Sequence, residues 1–213
     1  MIEFTFWDIA RNLLLAVRWT ILLSIVAFIG GGLVGLAILI ARIDRRKWVR
    51  RPAEWYIGLF QGTPLLLQLF LVFFGLPRIG LRIDPWLTAV LGLTLCASAF
   101  LAEIWRGGVE ALPRGQWEAS ASLGLHYWRQ LRLIILPQVL SMTRAPTVGF
   151  LIQLVKSTAL TSIIGFEELL RTANAINNAT FDPFTVYGFV ALIFFVICFP
   201  LTRYVEALER RKA

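Results

Sequence analysis

Few side chains in this sequence are equipped for covalent or metal chemistry. There is one histidine, His126, and two cysteines, Cys96 and Cys198, far apart in the chain. A lone histidine rules out two-histidine metal motifs, and the cysteines form no close-spaced ligand pair. No metal site and no catalytic residue is therefore expected, and His126 reads as a polar surface residue. VKST at Val155 to Thr158 is similar to the end of a phosphate-binding loop. Val155, however, stands where that loop needs a glycine before the lysine, so no backbone cradle is expected. G-x-S-x-G is absent. If ATP is needed, another chain must hydrolyse it. What remains are polar groups set within apolar sequence: Gln68, Glu103, Arg106 and Lys156, the last followed by Ser157, Thr158, Thr161 and Ser162. An ionisable group in a membrane helix is a functional candidate by default. Lys156 would either attract the carboxylate of a passing solute or pair with Glu103 to hold helices together, and the pair is the preferred reading. Gln68 would hydrogen-bond a solute or a neighbouring helix, and the hydroxyls can bond their own helix backbone. Glu103 and Arg106 would belong to a gate or to a coupling network.

The elements that must position these groups are membrane helices. The chain is 58% hydrophobic and 16% charged, with a mean hydropathy of +0.72, where soluble domains run near 45–50% apolar and about 25% charged. About 20 apolar residues cross a hydrocarbon core of ~30 Å. Five runs reach that length, at about 13–40, 55–74, 86–105, 145–165 and 184–202. Backbone groups in lipid must be satisfied within the segment, which makes these runs helices, and the lack of two-residue alternation excludes a barrel. The fold class is an all-α integral membrane domain of five transmembrane helices, a single domain over 1–213. Trp19, Trp55, Trp86 and Trp105 mark helix ends, where indoles favour the interface. Gly30, Gly31, Gly32 and Gly35 read as a close-packing surface of the first helix. No removable signal peptide is expected, since Glu3 and Asp8 precede an apolar run too long for one.

The net charge of +8 suggests nucleic acid until its placement is considered. Arg42, Arg45, Arg46, Lys47, Arg50 and Arg51 follow the first run. Arg106, Arg114, Arg129, Arg132 and Arg144 lie between the third and fourth, and Arg203, Arg210, Arg211 and Lys212 follow the fifth. That puts 15 of the 21 basic residues on one face. By the positive-inside rule this face is cytoplasmic and the N-terminus is outside. Membrane lipid, not nucleic acid, is the partner these charges imply.

The longest link, about 106–144, contains WEASASLGLHYWRQLRLIILPQ at 117–138. Trp117, Ala121, Gly124, Leu125, Trp128, Leu131 and Ile135 follow helical spacing as one apolar stripe, with Glu118, Arg129, Gln130 and Arg132 projecting elsewhere. Gly124 suits a positive-φ turn between two short helices, and Pro137 would end or bend the second. Periodicity alone leaves two readings open, a helix-turn-helix and an amphipathic segment lying on the membrane.

Residue identities add a third element. Glu118-Ala119-Ser120, Gly124 and the IILP at 134–137 resemble the EAA loop of ABC importer permeases, E-A-A, three residues, G, nine residues, I-x-L-P, with Ser120 for the second alanine. QGTPLLLQLFLVFFGLP (61–77), LAEIWRGGVEALPRGQWEASASLGL (101–125) and KSTALTSIIGFEELLRTA (156–173) resemble its polar amino-acid branch, although Gln61 stands where many relatives carry arginine. The resemblance implies a permease subunit of an ATP-driven importer in the bacterial inner membrane. It implies a second permease, identical or paralogous, two cytoplasmic ABC ATPases that bind ATP and Mg, and an extracytoplasmic solute-binding protein delivering a small polar amino acid or similar zwitterion. Glu118, Ala119, Ser120, Ala121, Gly124 and Leu125 would form the coupling helix seated in the ATPase. Gln68, Glu103, Lys156, Ser157, Thr158 and Thr161 would border the substrate pathway. This chain would bind no cofactor. The alternative is an autonomous channel or ion-coupled carrier, which calls for acidic mid-membrane sites or inverted repeats, and neither is visible. A membrane enzyme lacks a catalytic constellation.

The orientation is testable. Cysteine replacements at Gly80 and Asn177 are expected to react with an impermeant thiol reagent added outside, and replacements at Arg46 and Gly115 are not. External labelling at position 115 would reverse the topology.

Overall fold

The computed structural model describes residues 5–210; Glu3, Arg211 and Lys212, which enter the charge pattern above, lie outside the described residues. All described elements are helical. They are α1 (Phe6–Arg42), α2 (Lys47–Gly62), α3 (Leu65–Arg78), α4 (Pro85–Ala111), α5 (Arg114–Ser122), α6 (127–142), α7 (Arg144–Ile164), α8 (Leu169–Thr180) and α9 (Pro183–Arg210). Four of them, α1, α4, α7 and α9, are each long and apolar enough to cross a membrane.

The fifth span is not the straight helix expected at 55–74. The α2–α3 pair is bent by 106° at Thr63–Pro64. Pro64 has no N–H to continue the ladder and drives the preceding residue out of the helical region; Thr63 sits at φ −117°, ψ 142°. The break leaves carbonyls of α2 without helical donors, and Gln68 supplies one. Its Nε2 lies 2.9 Å from Phe60 O, 3.0 Å from Thr63 O and 2.9 Å from Thr63 Oγ1. Thr63 Oγ1 also donates to Leu59 O at 2.7 Å.

The core is built on α1 against α4. A Cβ on Gly31 would come within 2.6 Å of Ala97 Cβ, and one on Gly35 within 3.0 Å of Ser98 O. Only hydrogen side chains permit this approach, which is how helices gain dispersion contact where lipid removes the hydrophobic drive between them. Leu23, Leu39, Leu93 and Leu101 are fully enclosed along the same contact. α2 hangs on α4 through Tyr56, whose hydroxyl is 3.0 Å from Leu95 O and 2.7 Å from Ser98 Oγ. α9 packs on α7 through Ile152, Val155 and Cys198.

At the end opposite the basic links, α8 is an amphipathic helix that the span pattern does not announce. Leu169, Ala173 and Ile176 turn inward onto Ile9 and Leu13 of α1 and Val186 and Val190 of α9. Glu168 caps it, accepting from Leu170 N at 2.9 Å and Arg171 N at 2.8 Å, while Leu169 N donates to Thr20 Oγ1 at 3.2 Å. Of the labelling positions, Gly80, Arg46 and Gly115 are exposed, whereas Asn177 is half-buried. Its neighbour Asn178 is exposed and serves the same test better.

Glu168 is fully buried. Burial pushes its carboxyl up to about 7 from an ordinary 4.5, against the opposing effect of the two backbone donors. A carboxyl with a raised folded-state pKa holds its proton more tightly folded than unfolded. Its stabilising contribution is therefore complete below the unfolded value and is lost as pH rises through the folded one. The thermal midpoint is expected to fall as pH is raised from 4.5 to 7, and Glu168→Gln to flatten that dependence. An unchanged slope in the variant would show that another group sets it.

Candidate functional site

The basic end of the bundle is tied by a chain of ion pairs. Arg42 meets Glu54 at 2.8 Å and Glu103 at 3.7 Å, Arg50 meets Glu54 at 3.2 Å, and Arg106 meets Glu103 at 2.8 Å and also Glu110. This network joins α1, α2 and α4. It occupies Glu103, so the Lys156–Glu103 pair expected from sequence does not form. Distance explains why. Glu103 lies beside Trp105, whose indole donates to Thr147 Oγ1 at 3.1 Å, and Lys156 is nine residues further along α7, about 13 Å at 1.5 Å per residue. Lys156 is exposed on the single chain.

Beyond this network stand α5 and α6. Pro113 starts α5, and the helix runs nine residues before the chain turns at Gly124 with φ +71°. The turn resets the helical phase, so the single apolar stripe expected from Trp117 to Ile135 divides in two. Ala121 and Trp128 are exposed, while Ser120 and Gln130 are buried in their place. Ser120 Oγ donates to Trp117 O at 2.8 Å, and Gln130 Nε2 donates to Leu125 O at 2.6 Å across the turn. Trp117 stacks on Tyr127 at 5.9 Å and 14°, and the Tyr127 hydroxyl donates to Ile43 O at 3.3 Å. α5 is thereby braced against the end of α1. Pro137 does not end α6. A π-turn at Leu131–Ile135 precedes it and the helix continues to Met142; the wider turn absorbs the lost donor.

Of the coupling residues named from sequence, Glu118, Ala119, Ala121 and Gly124 face solvent, Leu125 is half-buried, and Ser120 points inward. Leu123, missed in the sequence, is 74% exposed at the tip of the same turn. A large apolar side chain held in water on a rigid turn is suited to a partner surface.

The pathway residues named from sequence are not gathered in one place. Gln68 is 93% buried and holds the α2–α3 bend. Thr158 and Thr161 are fully enclosed, and their hydroxyls donate to Val155 O and Thr158 O of their own helix. Glu103 is in the ion-pair network. Ser157, whose hydroxyl donates to Gln153 O at 2.9 Å, lines a cavity of 180 Å³ beside the α2–α3 break, where Gln61, Thr63 and Gln153 supply the other polar groups and Phe60, Phe100 and Phe150 much of the apolar wall. Phe100 and Phe150 stack at 5.4 Å. Among the described residues, the lining holds no charged side chain. Gln153, one helical turn before Ser157, carried a signal that sequence reading passed over: a lone amide in an apolar helix.

Comparison with known proteins places this arrangement. Residues 32–213 match the family of binding-protein-dependent transport system inner membrane components. The probable amino-acid ABC transporter permease YckA of Bacillus subtilis (strain 168) is 35% identical, aligning with 100% of this chain and 99% of its own. The L-cystine transport system permease TcyB of the same organism is 34% identical over 99% of this chain and 89% of its own. A crystal structure of an amino acid ABC transporter with histidines superposes with a TM-score of 0.88 at 31% identity, covering 99% of this chain and 100% of that one. An inward-facing MetNI methionine ABC transporter, at 22% identity and a TM-score of 0.76, shares the fold. The chain belongs to the binding-protein-dependent inner membrane components and is a multi-pass permease subunit of an ABC importer.

Proposed function

We propose that this permease carries a polar amino acid or a related small zwitterion into the cell, with the basic face cytoplasmic and the N-terminus outside. The observation that carries the coupling half of this reading is the short exposed helix α5, ending on a positive-φ glycine and braced to α1 through the Trp117–Tyr127 stack. Glu118, Ala119, Ala121, Leu123 and Gly124 present the surface for a cytoplasmic ABC ATPase, and Ser120 and Leu125 seat it on the bundle. A rigid lever transmits a discrete displacement that a flexible loop would absorb. The assembly comprises this chain, a second permease, two ATPases that bind ATP and Mg, and an extracytoplasmic binding protein. The names of the relatives, amino-acid and L-cystine permeases among them, support the substrate class.

For the pathway, the cavity at the α2–α3 break is the supported site. Ser157 and Gln153 on α7 line the cavity with Gln61 on α2 and Thr63 at the break, an arrangement of neutral donors and acceptors suited to a zwitterion. Lys156, exposed beside Ser157, would draw the substrate carboxylate toward it. Gln68, Glu103, Thr158 and Thr161 keep the pathway's shape.

Two measurements test these assignments in the reconstituted complex. Gly124→Val places a β-branched residue at φ +71°, which costs about 1–3 kcal/mol in that region. It is expected to leave the protein in the membrane and to lower ATP-driven uptake by roughly tenfold or more, whereas Gly115→Ala, in open space at an ordinary φ, is expected to change nothing. Normal uptake by Gly124→Val would remove α5 from coupling. Ser157→Ala and Gln153→Leu are expected to raise the apparent KM for uptake while ATP hydrolysis persists, and Lys156→Met to lower uptake without shifting the thermal midpoint. A large loss of stability in Lys156→Met would instead identify an interior partner for the lysine.

A further inference from the structure

Four of the basic residues around the α1–α2 link fall into two groups. Arg42 and Arg50 are committed to Glu54 and Glu103. Among the described residues, no carboxylate lies within ion-pair distance of Arg45 or Arg46. These two, with Asp44, Tyr127 and Trp128, line a recess of 200 Å³ between the link and the start of α6. Asp44 is turned to local work, its Oδ1 accepting from Arg46 N at 2.7 Å. The Arg45 guanidinium lies over the Tyr127 ring, 5.2 Å from its centroid, and that of Arg46 lies 6.0 Å from Trp48. Both cations are thus held by aromatic faces, which leaves their N–H groups for an acceptor.

We propose that this recess binds the phosphodiester headgroup of an anionic phospholipid of the cytoplasmic leaflet and thereby braces the coupling helix. The proposal rests on the orientation proposed above. Three features select a lipid over an acidic segment of a partner protein. The recess opens just past Arg42, the last residue of the membrane-spanning helix α1. Trp48 and Trp128 flank it at 72% and 48% exposure, and indoles favour the bilayer interface over water. Basic recesses between helices on the cytoplasmic side are where anionic headgroups settle. The consequence reaches α5 because Tyr127, which holds Arg45, also stacks on Trp117 of the coupling helix. A phosphate bound by Arg45 and Arg46 would fix the α1–α2 link against that stack and stiffen the lever.

The test uses the complete complex in nanodiscs of phosphatidylcholine alone or mixed with phosphatidylglycerol. Phosphatidylglycerol is expected to raise substrate-stimulated ATP hydrolysis and to be retained on the complex by native mass spectrometry. Arg45→Gln with Arg46→Gln is expected to abolish both effects and to leave activity in phosphatidylcholine unchanged. Each cation removed should weaken retention roughly fivefold, as for one basic residue at an anionic surface. Arg51→Gln, which removes a neighbouring charge outside the recess, is expected to retain both. Inorganic phosphate added to phosphatidylcholine discs should not substitute; if it does, the site serves a free anion and the lipid assignment falls. Equal losses in Arg51→Gln would show a diffuse basic surface and overturn the site. If Arg45→Gln with Arg46→Gln releases the ATPase in either lipid, the recess docks protein and the proposal fails. Lipid retention is read without transport, so a complex that retains phosphatidylglycerol at this recess and imports nothing would contradict the functional reading and leave the lipid site standing.

Discussion

The close approach of α1 and α4 is the constraint on which the other elements depend. Gly31 and Gly35 let the two backbones meet against Ala97 and Ser98, and that contact fixes the face α4 turns to everything else. Ser98 and Leu95 then receive the Tyr56 hydroxyl of α2, Trp105 reaches Thr147 of α7, and Glu103 and Arg106 point into the ion-pair network. Gly108 repeats the device at the basic end, where a Cβ would meet Thr143 Cγ2 at 2.5 Å. In lipid the apolar surfaces gain little by leaving their solvent, so the fit of small residues and a few interhelical hydrogen bonds must supply specificity.

Against this regular spine the helix breaks are informative. Backbone that departs from α-helix at membrane depth is tolerated where protein encloses it or where it borders a cavity. The Thr63–Pro64 bend lies on one side of the 180 Å³ cavity, and Ser157, where α7 tightens into the 3₁₀ segment Thr158–Ile164, lies on the other. α3 packs directly on that segment. The hydroxyls of Thr158, Thr161 and Ser162 cover carbonyls of the tightened turn, as Gln68 covers those of the bend. The polar residues that stand out in the sequence are therefore of two kinds. Some satisfy backbone so that a cavity can exist; others, Ser157, Gln153 and Gln61, line it, Ser157 and Gln61 while also donating to Gln153 O and Ala99 O.

That division explains how much the sequence disclosed. Apolar length locates at least one end of each of α1, α4, α7 and α9 closely, because lipid thickness acts on composition directly, but α1 begins well before the expected start and α4 and α9 run past their expected ends to Ala111 and Arg210. The fifth run at about 55–74 has the right composition and the wrong geometry. Pro64 was visible, but the amide that stabilises a break there comes from Gln68, a partner recognisable only once the bend exists. α8 escaped because a twelve-residue amphipathic helix is too short and too polar to look like a span, although Glu168 before Leu169, Leu170 and Ala173 has the form of a capped helix start. The turn at Gly124 was legible from backbone chemistry. The faces beyond it were not, because a positive-φ residue breaks the phase on which a helical stripe relies. The Lys156–Glu103 pairing failed for a related reason: charge complementarity says nothing of depth, and Lys156 lies nine residues, about 13 Å, along α7 beyond the Thr147 that Trp105 reaches.

The basic end shows what a count of charges conceals. Arg42, Arg50 and Arg106 carry the same sign toward the positive-inside rule as Arg45 and Arg46, yet their work differs. The first three are neutralised by Glu54, Glu103 and Glu110, and partly exposed pairs of this type add little stability individually. Their value is geometric, since a shared network allows the ends of α1, α2 and α4 to move only together. Arg45 and Arg46 stand outside that network and rest on rings instead, on a link whose backbone carbonyl at Ile43 is held by Tyr127. Any displacement of α5 passes through Trp117 and Tyr127 to this link, and from Arg42 to the clamped helix ends. α5 is thus connected to the spine by a stack and a hydrogen bond at one step and by charge at the next.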